Sequence, residues 1–340
     1  MINKSKVLGI VGNPLTSPRW EMIKGFLKEG QFSTVTFESP NDRELQQALQ
    51  DVEYVVVGGR PISGQQIEAA RKLKLIQIVS WQTDQIDLTT AQKKGAQVAA
   101  MPWPHLAAVA EHIFMFMLAL SHQLLRGHKE TVEGAYVKRG LTPMETTETK
   151  VAGNWTEIPD ITFLYGKRLG IVGMGEIGRF LVKQGHGFHM QISYFKRHRL
   201  PESEEQALGI EYRDLDQLLN GSDYVAPAVP HTPETKKMFG ERQFSLMKPS
   251  AFFINCCRGG IVDQRALCRA LKNGVIAGAG LDVYEKEPTP IDDPLLKLDN
   301  VILTPHSAGT REEVAIGCKM VCENIFRAER GEAPQNLVRL

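Results

Sequence analysis

The stretch Lys167-Arg168-Leu169-Gly170-Ile171-Val172-Gly173-Met174-Gly175-Glu176-Ile177-Gly178-Arg179 constrains this chain more than any other. Leu169 to Val172 is a short apolar, β-branched run. It breaks at Gly173, and the pattern resumes with Ile177, Phe180 and Leu181 at helical spacing. A strand, a tight turn and a helix start are the consequence. In such a unit Gly173 permits the turn, Gly175 lets backbone approach a pyrophosphate, and Gly178 lets helix and strand pack closely. The phosphates then rest on unpaired N–H groups of the helix N-terminus, so Gly173, Met174, Gly175, Glu176, Ile177 and Gly178 form a candidate dinucleotide loop.

The next strand of the same unit, Gln191-Ile192-Ser193-Tyr194-Phe195, discriminates between dinucleotides. Units that bind NAD end this strand with Asp or Glu, which holds the ribose hydroxyls. Here Phe195 is followed by Lys196-Arg197-His198-Arg199. A carboxylate would repel a 2'-phosphate, whereas arginine can grip one with two N–H groups. Arg197 is the leading contact, Lys196 and Arg199 are secondary ones, and NADP is preferred to NAD.

With 340 residues the chain has length for two ordinary domains. Its first hundred residues alternate strand and helix, with strands at 7–11, 35–37, 54–57, 75–79 and 97–99 and helices at 20–28, 42–49, 63–71 and 88–94. Tyr54-Val55-Val56-Val57 is apolar without interruption, as strands buried on both faces of a parallel sheet are. A long apolar-periodic helix runs from about His105 towards Leu124, and residues 134–160 have little periodicity. From the glycine loop the alternation resumes, with strands at 191–195, 223–225, 251–254, 278–283 and 301–303. Helices intervene at 177–184, 201–208, 215–219, 241–247 and 264–272, and one at 312–329 closes the chain. The fold class is α/β, with two Rossmann-like domains of parallel sheet flanked by helices.

The balance of 40 basic against 39 acidic side chains leaves a net charge of +1, which supplies no footprint for nucleic acid or a membrane surface. The N-terminal apolar run is too short for a signal peptide and no 18-residue uncharged apolar run follows, so a cytoplasmic protein is expected. Cys256, Cys257, Cys268, Cys318 and Cys322 are odd in number and lack zinc spacing; they read as buried thiols, and no metal site is expected. Adjacent Cys256 and Cys257 point to opposite faces if extended.

Six motifs occur in a fixed order: Val109-Ala110-Glu111-His112; the glycine loop; His231-Thr232-Pro233-Glu234-Thr235; Asn255-Cys256-Cys257-Arg258-Gly259-Gly260-Ile261-Val262-Asp263; Gly278-Ala279-Gly280-Leu281-Asp282-Val283-Tyr284-Glu285-Lys286-Glu287-Pro288; and Thr304-Pro305-His306-Ser307-Ala308-Gly309-Thr310. In this the chain resembles the D-isomer-specific 2-hydroxyacid dehydrogenases, a group that includes glyoxylate and hydroxypyruvate reductases. The resemblance implies NAD(P)-dependent interconversion of a small 2-oxoacid and its D-2-hydroxyacid. Arg258 would bind the carboxylate and carbonyl, His306 would be the acid/base, and Glu287 would orient and favour its imidazolium. Asp282 would help orient the nicotinamide. Arg60 would reach a distal polar group of the substrate, and Ser80, Trp81 and Gln82 occupy a substrate loop that more typically carries glycines. The resemblance further implies a substrate domain at 1–111 completed by 307–340, a cofactor domain at 112–306, an active-site cleft between the domains, and a homodimer. Segment 197–203 superficially resembles formate dehydrogenases, which usually have glutamine where this chain has Glu287. A cofactor-sensing corepressor or scaffold of the same fold is the alternative.

Overall fold

The computed structural model describes residues 6–11, 17–29, 32–38, 42–58, 61–79, 83, 86–100, 106–309 and 311–338. The chain divides into two compact units, Met1–His105 with Gly309–Leu340, and Leu106–Ala308.

In the first unit β1 (Lys6–Val11), α1 (Ser17–Glu29), β2 (Ser33–Glu38), α2 (Asp42–Leu49), β3 (Tyr54–Gly58), α3 (Gly64–Ala69), β4 (Leu75–Ile78), α4 (Leu88–Lys93) and β5 (Gln97–Ala99) follow one another. The strands form one parallel sheet in the order β2-β1-β3-β4-β5. Every residue of β3 is buried because both faces of the sheet are covered. Val55 and Val57 join Leu8, Ile76 and Ile78 beneath α2, α3 and α4. Tyr54 and Val56 face Trp20 and Ile23 of α1, and Val321 and Ile325 of the C-terminal helix Arg311–Glu329. That helix is tied to the sheet by a buried amide pair: Asn324 Nδ2 donates to Gln77 Oε1 (2.8 Å), and Gln77 Nε2 donates to the carbonyls of Ile78 and Ala99. With every polar atom paired, these two buried amides select one seating of the helix.

The second unit opens with α5 (Ala107–Ser121) and α6 (Leu124–Val132). The expected long helix is α5, which ends at Ser121; Gln123 then takes a left-handed conformation with φ +48° and starts a second, unforeseen helix. There follow β6 (Arg168–Val172), α7 (Glu176–Gly187), β7 (Gln191–Phe195), α8 (Glu202–Leu208), β8 (Glu211–Tyr212), α9 (Leu215–Gly221), β9 (Tyr224–Pro227), α10 (Glu241–Leu246), β10 (Phe252–Asn255), α11 (Gln264–Lys272), β11 (Gly278–Leu281) and β12 (Val301–Leu303). Edge strand β8, only two residues long, also escaped the sequence pattern. The seven strands lie parallel in the order β12-β11-β10-β9-β6-β7-β8, which reverses direction between β6 and β9. Nucleotides bind at such a switch point, outside the carboxyl ends of the strands. Alternation along the strands sorts the core into two layers. Leu169, Ile171, Tyr224 and Ile254 pack under α5 and α7, while Val172, Val225 and Phe253 pack under α9, α10 and α11. Cys256 enters the first layer and Cys257 the second, on opposite faces as their adjacency implied.

The aperiodic segment after α6 is held by its own contacts at both ends. Tyr136 meets Trp155 edge to face at 6.0 Å, and the Asn154 side chain both donates to and accepts from the Ile158 backbone. Between them, residues 140–153 are all exposed.

Candidate active site

The glycine loop leaves β6 at the switch point. Gly173 has φ +107°, and a Cβ there would lie 2.4 Å from the Ala228 carbonyl oxygen, so only glycine fits. A Cβ on Gly178 would come within 2.8 Å of the Gly173 carbonyl oxygen, the close helix–strand approach expected of the third glycine. Gly175 differs, since a Cβ there would meet nothing within 4 Å. It caps α7 with no side chain bonded to the helix N–H groups, which leaves an open cradle of donors at a dipole end. This donor set fits a dinucleotide pyrophosphate. Met174 is buried beneath the loop, and Glu176 and Ile177 begin the helix.

Of the three cations after β7, Arg199 is already engaged. Its Nε and Nη2 donate to the two carboxylate oxygens of buried Glu205 at 2.8 and 2.7 Å, and its guanidinium lies 5.2 Å from the Tyr212 ring centroid. Tyr194 donates to the same carboxylate (2.6 Å) and accepts from Leu200 N (2.9 Å). Arg199 therefore braces the turn through the Nε–Nη2 edge of its guanidinium, which keeps it a weaker phosphate candidate than Arg197. Lys196 and Arg197 make no salt bridge among the described residues. The charge of Arg197 contributes to holding the Glu234 carboxyl low, after that carboxyl's hydrogen bonds to Thr232 Oγ1 and backbone.

The Arg199 hydrogen bonds hold the Glu205 carboxyl down at about 2, from an ordinary 4.5. A depressed folded-state pKa gives stability that is present above the ordinary value and lost as pH falls through the folded one. Glu205→Gln should therefore cost about 2 kcal/mol at pH 7. In chemical denaturation at successive pH values, the gap from the parent should narrow between pH 4.5 and 2. A gap that stays constant to pH 2 would remove the charge from this account.

Three neighbouring strands carry the remaining candidates on loops at their carboxyl ends. Arg258 follows β10, Asp282 and Glu287 follow β11, and His306 follows β12. The first loop is braced by buried Asn255, which accepts from Cys257 N (3.0 Å) and donates to the Arg258 carbonyl (3.1 Å). Arg258 Nη1 donates to the Cys257 carbonyl, and the rest of the exposed guanidinium is open to a ligand. Gly259 presses against the second loop so closely that a Cβ would fall 1.8 Å from the Tyr284 carbonyl oxygen. Tyr284 in turn joins the second loop to the third, donating its hydroxyl to the Thr304 carbonyl at 2.8 Å. Burial pushes that phenol up to about 12, so it remains a donor.

His306 Nδ1 lies 2.7 Å from Glu287 Oε2, and Glu287 Oε1 accepts from Tyr284 N at 3.0 Å. With the carboxylate as acceptor, Nδ1 carries the proton and Nε2 is left for another partner. His306 has φ +52°, a left-handed conformation that costs a non-glycine residue about 1–2 kcal/mol. The turn is held by Asp282, which is wholly buried. Its carboxylate accepts from Ser307 N (2.7 Å), Ala308 N (2.9 Å) and Thr304 Oγ1. Asp282 thus builds the loop that presents His306, a task its sequence position did not disclose.

Thr304, Tyr284 and His112 were missed as functional candidates, although all three stand inside the ordered motifs. His112, on α5, lies 2.9 Å from Thr304 Oγ1 through Nε2. Burial lowers its pKa, against the pull of Asp282. The adjacent thiols are not nucleophiles: burial raises Cys256 and pushes Cys257 up to about 11. Arg60, Ser80, Trp81 and Gln82 lie outside the described residues.

A glycine loop at the switch point of a parallel sheet, with a paired histidine and an arginine at neighbouring strand ends, defines a dinucleotide-dependent oxidoreductase. Residues 114–308 match the model of the D-isomer specific 2-hydroxyacid dehydrogenase NAD-binding domain. A glyoxylate reductase of Korarchaeum cryptofilum is 40% identical over 280 residues, covering 82% of this chain and 80% of that one. Among solved structures, an NADPH-dependent glyoxylate/hydroxypyruvate reductase from Sinorhizobium meliloti superposes with a TM-score of 0.71 at 25% identity, covering 98% of this chain and 97% of that one. An acyclic imino acid reductase in complex with NADPH and D-Arg gives 0.66 at 25% identity, covering 98% and 100%. The chain belongs to the D-isomer-specific 2-hydroxyacid dehydrogenase family and is an NAD(P)-dependent oxidoreductase.

Proposed function

We propose that this protein reduces a small 2-oxoacid, glyoxylate or hydroxypyruvate, to the D-2-hydroxyacid, with NADPH preferred to NADH. The observation that carries the reading is the His306–Glu287 pair, 2.7 Å apart, on strand ends next to the Arg258 loop. The bound nicotinamide would supply hydride to the carbonyl carbon. Arg258 holds the substrate carboxylate and carbonyl and stabilises the negative charge that grows on oxygen. His306 Nε2 delivers the proton that this oxygen takes up, while Glu287 keeps the second proton on Nδ1 and compensates the imidazolium charge. Hydride loss from formate yields carbon dioxide and leaves no oxygen that needs this proton, which argues for the oxoacid. The glyoxylate reductase of Korarchaeum cryptofilum supports the substrate class, and the S. meliloti reductase supports both class and cofactor.

Arg197 and Lys196 are the proposed grips on the 2'-phosphate, because no salt bridge among the described residues engages them. Initial rates with glyoxylate, hydroxypyruvate, pyruvate and bulkier oxoacids, with NADPH and NADH in parallel, test the reading. NADPH should give the higher kcat/KM, and Arg197→Ala should reduce that preference by about 10-fold. Equal or better efficiency with NADH would sink the NADP preference, and no turnover of any oxoacid would sink the substrate class.

The same preparation should sediment as two 37.9 kDa chains. A groove of about 660 Å³ runs along α5 and α7, lined by Phe114, Met115, Leu118, Leu124 and Phe188. Leu125, Val132, Phe163 and Tyr165 are also exposed in this stretch of chain. A second copy of the chain is the proposed occupant of this apolar surface.

A further inference from the structure

We propose that His112 is a positioning residue for His306, acting through the hydroxyl of Thr304 and the carboxylate of Asp282. The inference rests on the acid/base reading of His306 and extends it to a side chain on α5.

Proton counting along the chain of contacts supports it. Thr304 Oγ1 has one proton, which it donates to Asp282 Oδ1. Its contact with His112 Nε2 at 2.9 Å must then run the other way, with the imidazole N–H as donor and the hydroxyl as acceptor. His112 Nε2 lies 3.6 Å from Asp282 Oδ1, so it reaches the carboxylate chiefly through Thr304. The ring is confined by Phe116, edge to face at 4.9 Å, and only 13% of its side chain is exposed. Burial lowers the His112 pKa, which favours the neutral ring with one N–H that this arrangement needs.

The consequence falls on the turn around His306. Asp282 receives three donors, and two of them are the backbone N–H groups of Ser307 and Ala308. Those bonds hold His306 at φ +52° with Nδ1 on Glu287. Without the His112 N–H, the Thr304 hydroxyl is free to rotate away from Asp282. The carboxylate then lacks one of its three donors in a site closed to water, and with the two backbone bonds alone it holds the strained turn less tightly. Neither His112 nor Thr304 is placed against substrate or dinucleotide, so the effect of removing either belongs to turnover rather than to binding.

The test uses His112→Leu, His112→Gln, His112→Asn, Thr304→Val and their combination in the full-length protein. Turnover is measured with NADPH and whichever of glyoxylate, hydroxypyruvate and pyruvate reacts fastest, beside His306→Ala. Leucine keeps the volume and removes the donor, and kcat should fall by at least about 10-fold while KM and NADPH affinity stay within about twofold. Glutamine places an N–H near the Nε2 position and should recover kcat to within about threefold, whereas asparagine, a bond shorter, should not. Thr304→Val should match His112→Leu, and the double variant should be no slower than either single one, because both break one chain. Should His112→Leu fail to fold, Thr304→Val against Thr304→Ser carries the test, with serine retaining turnover.

His306→Ala inactive with His112→Leu at the parental kcat would overturn this inference alone. Equal losses in His112→Gln and His112→Leu, or losses that multiply in the double variant, would also overturn it by showing packing rather than donation. His306→Ala with full turnover would overturn the acid/base reading, and this inference with it.

Discussion

Arg258→Ala should lower kcat/KM for the oxoacid by about 10³-fold or more, while NADPH binding and thermal stability stay near parental. A guanidinium that grips a carboxylate and meets the growing charge on the carbonyl oxygen acts mainly in the transition state. One lost donor of that kind costs about 10²–10³ in rate, and here a whole charged fork is removed. The loop itself should survive, because the bonds that shape it come from Asn255 and the Cys257 and Arg258 backbone, which alanine retains. The exposed side chain makes one hydrogen bond, to the carbonyl beside it. Arg258→Lys should fall between the two, since it restores charge without the planar fork. Stopped-flow turnover alongside fluorescence titration with NADPH separates the effects. Turnover within 10-fold of parental, or NADPH affinity falling in step with rate, would remove Arg258 from substrate binding.

Gly173→Ala and Gly175→Ala should fail in different ways, although both stand in one loop. At Gly173 an added methyl meets the Ala228 carbonyl oxygen at 2.4 Å, on a backbone where φ is +107°. Neither side can yield cheaply: Gly173 N donates to the Phe195 carbonyl at 2.8 Å, and Ala228 N to the Val172 carbonyl at 2.7 Å. Strain and overpacking together should cost about 3 kcal/mol or more, a fall in melting temperature of about 6–12 °C for a unit of this size. At Gly175 the methyl enters open space, so the protein should melt like the parent. It would occupy the proposed pyrophosphate position, however, and NADPH affinity should drop by about 10²-fold. Melting curves and NADPH titrations of the two variants decide the matter. Parental NADPH affinity in Gly175→Ala would move the phosphates elsewhere.

Much of this architecture was legible because its causes are local or periodic. Uninterrupted valines at 55–57 required a strand covered on both faces. Gly173, Gly175 and Gly178 required a turn into a helix, and Cys256 beside Cys257 required opposite faces. Edge strand β8 was missed because two residues carry no periodicity, and α6 because the break at Gln123 leaves no glycine or proline to mark it. The cations after β7 were read as a group, since Lys196, Arg197 and Arg199 look alike in a charge run. Glu205 separates them by engaging only Arg199.

The amino-acid order alone determined the α/β rhythm, the phosphate loop and the kinds of side chain available for chemistry, because strand burial, turn geometry and functional-group reactivity are properties of short segments. The tertiary structure decided which of those side chains is engaged and which way each proton points. Arg199 is taken by Glu205, Asp282 holds the His306 turn, and His112 meets Thr304 from 192 residues away. A donor's direction depends on what stands opposite it, and Asp282 and Thr304 stand opposite His112 only once β11 and β12 pair and α5 packs against them.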